Sequence, residues 1–183
     1  MNPVKNLASA LTLIMILSAF LALPVHAADI SPTKAICVVV PTEGSECRGV
    51  VKFQAMDDGK VKITASVSGL KPGQEHAIHI HEFGDITDLS GKSAGGHFNP
   101  GNTPHGLPPA KNRHAGDLGN LKADAKGKAS FELTVDNISI ASERAILGRA
   151  IVIHALPDDG GQPTGNAGGR IGFGVIGIAN PGA

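Results

Sequence analysis

The sequence predicts an all-β domain, a sandwich or barrel of about eight antiparallel strands that carries two long irregular loops. Three observations lead there. Short runs rich in Val, Ile, Thr and Phe recur between turn signals at close intervals. Where the pattern is clearest, apolar and polar residues alternate with period two, which leaves one face to bury. Finally, the 183 residues include 24 glycines and 12 prolines but no Trp or Tyr, a composition suited to turns and short elements rather than long helices.

The first 27 residues, MNPVKNLASALTLIMILSAFLALPVHA, stand apart. Lys5 is an early cation, an apolar run extends from about Leu7 to Leu23, and Val25 and Ala27 suit a cleavage site. Residues 1–27 therefore read as a signal peptide and 28–183 as the folded domain. The run also approaches the length of a bilayer span, so an uncleaved anchor is the alternative. Either way the domain faces an exported compartment, periplasmic or extracellular, and cleavage leaves no stable membrane association. Without Lys5, 15 of the 16 Lys and Arg remain against 16 Asp and Glu, and they are dispersed. Such a near-neutral surface excludes nucleic acid as a partner.

Within the domain, KAICVVV (34–40) and RGVVKFQA (48–55) are the first two strands. Cys37 and Cys47 flank the turn between them. A bridge is possible there, though connected strands seldom give the required geometry, and the spacing is not a zinc pattern. After the turn DDGK (57–60) comes VKITASVSGL (61–70), with Val61, Ile63, Ala65 and Val67 on one face and Lys62, Thr64, Ser66 and Ser68 on the other. KPGQE (71–75) leads into HAIHIHEF (76–83), where Ile78 and Ile80 face one way and His79 and His81 the other. Periodicity then disappears from Gly84 to about Leu118. Strands resume with GNLKADA (119–125), ASFELTVDNISI (129–140) and GRAIVIHAL (148–156), where Val152 and His154 share a face. The irregular PDDGGQPTGNAGGR (157–170) precedes the last strand, IGFGVIGIA (171–179). GFGVIG matches Gly-x-Gly-x-x-Gly, but no helix or βαβ unit follows it, so it is no dinucleotide site.

Two loops this long must be ordered by something other than their own apolar residues. His79 and His81, at i and i+2 on one strand face, are placed to grip one metal. His97, His105, His114 and Asp117 lie between positions 97 and 117 among glycines and prolines. Three nitrogens and a carboxylate complete a tetrahedral zinc shell with no open position, and metal binding there would order the loop.

Together, HIHEFGD, SAGGHFNP, RHAGDLGN, IVIHALPDD and GNAGGR followed by GVIGIA resemble the copper/zinc superoxide dismutases, closer to the eukaryotic cytosolic type than to the usual bacterial one. The resemblance runs from about Lys34 to Ala179. It implies an eight-stranded Greek-key β-barrel and the conversion of superoxide to dioxygen and hydrogen peroxide with Cu and Zn as cofactors. It also implies copper on His79, His81, His97 and His154, and zinc on His97, His105, His114 and Asp117, with His97 bridging the two. Asp158 matches a carboxylate that hydrogen-bonds one copper and one zinc histidine. Arg170 matches the arginine that orients the small anion, and His76 a non-ligand histidine that bonds backbone.

A homodimer is implied too, through Phe83, Gly148, Val175, Ile176 and Ile178. The chain departs from the family at its disulfide, where Gly91 and Phe173 replace the cysteines; Phe173 packing under the long loop is the expected substitute. It departs again in the shortened loop after Asp158, where Pro163 stands in place of a lysine, leaving Arg170 as the main electrostatic guide. On residues alone, a copper-binding module without catalysis and a zinc hydrolase stay open. The first needs neither a shared His97 nor Arg170, and the second lacks a general base near the site.

Overall fold

The computed structural model describes residues 31–182; the leader assigned to 1–27 lies outside the described residues. Eight strands follow in order: β1 (Lys34–Pro41), β2 (Arg48–Ala55), β3 (Val61–Ser68), β4 (Glu75–His81), β5 (Asp117–Lys122), β6 (Ala129–Val135), β7 (Ala150–His154) and β8 (Arg170–Ile178). One 3-10 turn, Lys92–Ala94, interrupts the loop between β4 and β5. The strands pair antiparallel in the order β5-β4-β7-β8-β1-β2-β3-β6. The end strands β5 and β6 approach each other, so the sheet is a nearly closed barrel. The chain runs from β3 to β4 and from β6 to β7 between strands that are not neighbours, which makes the topology a Greek key.

Alternation decides what enters the barrel. Val61, Ile63, Ala65 and Val67 of β3 are buried with Val51 and Phe53 of β2, Ile78 and Ile80 of β4, and Ile151 and Ile153 of β7. Each large side chain so buried contributes about 1.5–3 kcal/mol. Cys37 and Cys47 join the same core as free thiols. They occupy space that glycines in β8 leave open: a Cβ at Gly174 would come 2.8 Å from Cys37 Sγ, and one at Gly172 2.7 Å from Cys47 Sγ. Burial pushes both thiols up to about 12.

Several elements end sooner than their residue patterns suggest, because a strand stops where its partner does. β6 ends at Val135, which pairs with Val61, the first residue of β3. Ile138 and Ile140 nevertheless reach the core from irregular backbone. β3 ends at Ser68, opposite Arg48 at the start of β2. β5 begins at Asp117, earlier than its alternation suggests, because Asp117 finds a partner in His79.

The outer faces of β4 and β7 are not wet. The two irregular loops cover them, and every residue from His76 to His81 is buried. A second apolar cluster lies on this outer side: Ala94 from the 3-10 turn with Ala150, Val152 and Phe173. Phe173 thus packs against the long loop at the place where a covalent link was expected to be missing. Backbone bonds add to it, with Glu43 N donating to Leu89 O at 3.1 Å and Phe83 N to Ala94 O at 3.0 Å. Of the residues expected at a subunit interface, Phe83, Val175 and Ile178 are 57%, 37% and 66% exposed. Ile176 is not available: it alternates with Val175, points into the barrel and is only 1% exposed.

Candidate metal centre

Strand register brings the site together. In β4, His79 lies opposite Asp117 of β5, and His81 forms an isolated bridge with His97 of the long loop. At the end of β7, His154 lies opposite Arg170 of β8. The ladder shifts at Ala77/His79 and again at Ile153/His154. Such irregularities twist a strand locally and re-aim its side chains.

Two clusters result, His79, His81, His97 and His154 in one and His97, His105, His114 and Asp117 in the other. Within each, one potential ligand atom per residue lies within 4.8 Å of all the others. His97 belongs to both. In the second cluster His97 Nδ1 is 2.9 Å from Asp117 Oδ1, His114 Nδ1 is 3.2 Å from the same oxygen, and the two nitrogens are 3.4 Å apart. His105 Nδ1 lies 3.0 Å from Asp117 Oδ2 without the angle for a hydrogen bond. Tetrahedral ligation with bonds of ~2.0–2.1 Å separates its ligand atoms by about 3.3 Å, so these spacings suit one zinc ion.

The unused nitrogens are more telling. His79 Nδ1, His81 Nε2, His105 Nδ1 and His154 Nε2 are buried with no hydrogen-bond partner. An isolated orphan of this kind costs about 1–3 kcal/mol, and four gathered in two clusters are lone pairs aimed at cations. The opposite nitrogen of each ring is bonded, which fixes the tautomer. His79 Nε2 and His105 Nε2 donate to Asp158 Oδ2 and Oδ1, both at 2.9 Å. His81 Nδ1 donates to Gly95 O at 3.0 Å and His154 Nδ1 to Gly168 O at 3.4 Å. One carboxylate therefore holds a ring in each cluster. Asn120, which the sequence did not single out, holds that carboxylate's own backbone: Asn120 Nδ2 donates to Asp158 O at 2.9 Å, and Asp158 N to Asn120 Oδ1 at 2.7 Å.

Electrostatics prepare the same groups for a cation. Burial lowers His79 to about 4 despite the Asp158 hydrogen bond, and burial with His79 nearby lowers His154 to about 3. Burial also lowers His81 and His114. Burial would raise Asp117 and Asp158, but hydrogen bonds outweigh it: from His97 and Gly106 at Asp117, and from His79 and His105 at Asp158. Both carboxyls lie below their ordinary value. At neutral pH His79, His81, His114 and His154 are thus held neutral and Asp117 and Asp158 ionised, the states that bind metals.

The first cluster opens into a pocket of about 340 Å³ lined by His81, His97, His154, Thr164, Asn166 and Arg170, among others. Among the described residues Arg170 is the only cation in that lining. Its guanidinium donates to the carbonyls of Gly91 and Gly95, and the backbone carbonyl of Arg170 accepts from Thr42 Oγ1 at 2.7 Å. His76 stays outside both clusters, donating from Nδ1 to His154 O at 2.9 Å and accepting from Lys71 N at 3.2 Å.

Comparison with known proteins agrees with this geometry. The family model for copper/zinc superoxide dismutase (SODC) matches residues 47–176. A copper-zinc superoxide dismutase of Paramecium bursaria Chlorella virus 1 is 42% identical, with 91% of each chain covered. Copper-zinc superoxide dismutase A of Xenopus laevis is 46% identical over 79% of this chain and 97% of its own. A crystal structure of the clock protein EA4 superposes with a TM-score of 0.74 at 42% identity, covering 81% of this chain and 96% of that one. With strand order, paired clusters and sequence all in agreement, the chain belongs to the copper/zinc superoxide dismutase family.

Proposed function

We propose that the two clusters divide between them the work of a copper- and zinc-dependent superoxide dismutase, which turns two superoxide ions and two protons into dioxygen and hydrogen peroxide. His79, His81, His97 and His154 would hold copper, and His97, His105, His114 and Asp117 would hold zinc. Copper supplies a one-electron redox couple when bound, and zinc a fixed positive charge beside it. The observation that carries this assignment is the set of four buried ring nitrogens without partners, around a histidine shared by both clusters.

The protein's own groups have separable roles. Arg170, anchored by two backbone carbonyls at the pocket wall, attracts the small anion and orients it toward the first cluster. His97 is the proton carrier: with Nδ1 committed to the second cluster, its other ring nitrogen is the one free to take up and return a proton beside the substrate. Asp158 keeps the His79 and His105 rings in the tautomer that leaves their inner lone pairs free. His76 supports the end of β7 by bonding the carbonyl of His154.

The reading extends to residues 1–27 as a signal peptide and to a periplasmic or extracellular location, in keeping with the leader's composition. It also extends to a homodimer formed through Phe83, Val175 and Ile178, exposed apolar side chains whose burial would be favourable. Neither nucleic acid nor a stable membrane attachment of the cleaved domain is part of it. The deciding experiment measures dismutation and copper and zinc content in one sample, for wild type and His97→Ala. We expect wild type to hold one of each metal and to be active, and His97→Ala to lose most of its activity. A fully metallated, inactive wild type would refute the assignment.

A further inference from the structure

We propose that Gln162 is a positioning residue of the second cluster: its side-chain amide clamps the backbone of His105 and ties the zinc-ligand loop to the loop that walls the copper pocket. The proposal rests on the zinc assignment made above. Gln162 and His105 are 57 positions apart in the chain, yet two hydrogen bonds join them. His105 N donates to Gln162 Oε1 at 3.1 Å, and Gln162 Nε2 donates to His105 O at 2.8 Å. A primary amide is the side-chain group that offers donor and acceptor side by side, as a peptide pair requires. Among the described residues no backbone group bonds either His105 N or His105 O.

This residue is held from three sides. Gln162 fixes its backbone, Asp158 accepts from its Nε2 at 2.9 Å, and its Nδ1 is left 3.0 Å from Asp117 Oδ2 with no hydrogen bond of its own. Any freedom in the His105 backbone is therefore passed to a ligand atom. Both outside restraints, Asp158 and Gln162, come from the segment between β7 and β8. That segment is closed on itself, with Asp159 N donating to Gly165 O at 3.0 Å and Gly165 N to Gly161 O at 2.6 Å. The residues immediately after Gln162 that line the pocket are Thr164, Asn166, Ala167 and Gly168. The clamp thus joins one loop's ligand to the other loop's pocket wall. By linkage, a metal that steadies His105 also steadies the wall, to the same extent that the wall favours metal binding.

The experiment is a titration of metal-free wild type, Gln162→Ala and Gln162→Met, first with Co²⁺ as a visible reporter of tetrahedral geometry and then with Zn²⁺ against a chelating dye. Methionine keeps the length of the side chain and removes both hydrogen bonds. We expect wild type to show the tetrahedral cobalt bands, and both variants to bind Zn²⁺ about tenfold more weakly, the ordinary loss when an outer partner of a ligand is removed. Their metal-free melting temperatures should stay within about 2 °C of wild type, since Gln162 is exposed. The amide hydrogen of His105 should exchange faster in the zinc-loaded variants. Wild type without tetrahedral cobalt would overturn the zinc assignment itself. A wild type with those bands, and variants that bind Zn²⁺ equally tightly, would overturn the clamp alone. Metal-free variants destabilised as much as the zinc-loaded ones would make Gln162 a general stabiliser, and would also overturn the clamp.

Discussion

Removing the ring of Phe173 tests how the long loop is fastened. Phe173 is 1% exposed and lies on the outer side of the barrel, where its cluster partners are Ala94, Ala150 and Val152. Two of those three are alanines, so the phenyl ring supplies most of the apolar surface in the cluster. Phe173→Ala should cost about 3–5 kcal/mol, the usual range for truncating a buried phenylalanine. In a domain of this size each kcal/mol lowers the melting temperature by about 2–4 °C, so metal-free protein should melt roughly 10 °C lower. The 3-10 turn at Lys92–Ala94 is what rests on the ring. Limited proteolysis should therefore cut between Phe83 and Gly96 sooner than in wild type. Arg170 should suffer too, because the carbonyls that hold it belong to Gly91 and Gly95. Metal-free protein is the right sample, since bound metal raises the melting point by mass action and would mask the loss. A melting temperature within about 2 °C of wild type, with unchanged proteolysis, would refute the claim that this side chain substitutes for a covalent link.

Other perturbations test the rest of the site. With Arg170 the only cation among the described residues that line the pocket, the second-order rate with superoxide should fall by less than about threefold between ~10 and ~150 mM salt; stopped-flow measurement of a steep fall would contradict this. Metal-free protein should lose stability as pH falls from about 6.5, where unfolded histidine takes up a proton, through the lowered values of His79, about 4, and His154, about 3. The sign follows because the unfolded chain binds these protons first. Together the two rings contribute a slope of up to about 2.7 kcal/mol per pH unit near pH 5, to be read from denaturant midpoints; a flat profile from pH 6.5 to 4.5 would count against buried neutral rings. Cys37 and Cys47, raised to about 12 by burial, should resist alkylation at pH 8 in native protein and both react in denaturant. Labelling of either thiol without unfolding would show that it is not closed in the core. Asp158→Asn should weaken zinc binding by about 10–100-fold, because it disturbs the hydrogen bonds to both His79 and His105.

Much of this was legible in the chain itself. The alternation of β3 declared its buried face, and the same rule separated Ile78 and Ile80 from His79 and His81. Strand ends were less legible, because Val135 ends β6 only where β3 begins, a fact held by another strand. The alternating Ile138 and Ile140 look like more strand and are core anchors on irregular backbone. The clustering of His97, His105, His114 and Asp117 was visible because those residues are close in sequence. Asn120 and Gln162 were not visible. Amides on the surface of a sequence carry no pattern, and their roles arise only when folding brings Asp158 and His105 to them. Ile176 was assigned to the wrong side because neighbouring apolar residues in β8 serve opposite faces.

The shared histidine joins two clusters with unequal demands on the growing polypeptide. Every group of the His97, His105, His114 and Asp117 set is contributed by one continuous stretch, whereas the other set also needs His79 and His81 from β4 and His154 from β7. Through β5 the chain already contains all four groups of the former set. The other pocket cannot exist until β7 has emerged and docked beside β4. Topology thus sets the order in which the two sets of groups can be completed, one with β5 and the other only with β7 beside β4.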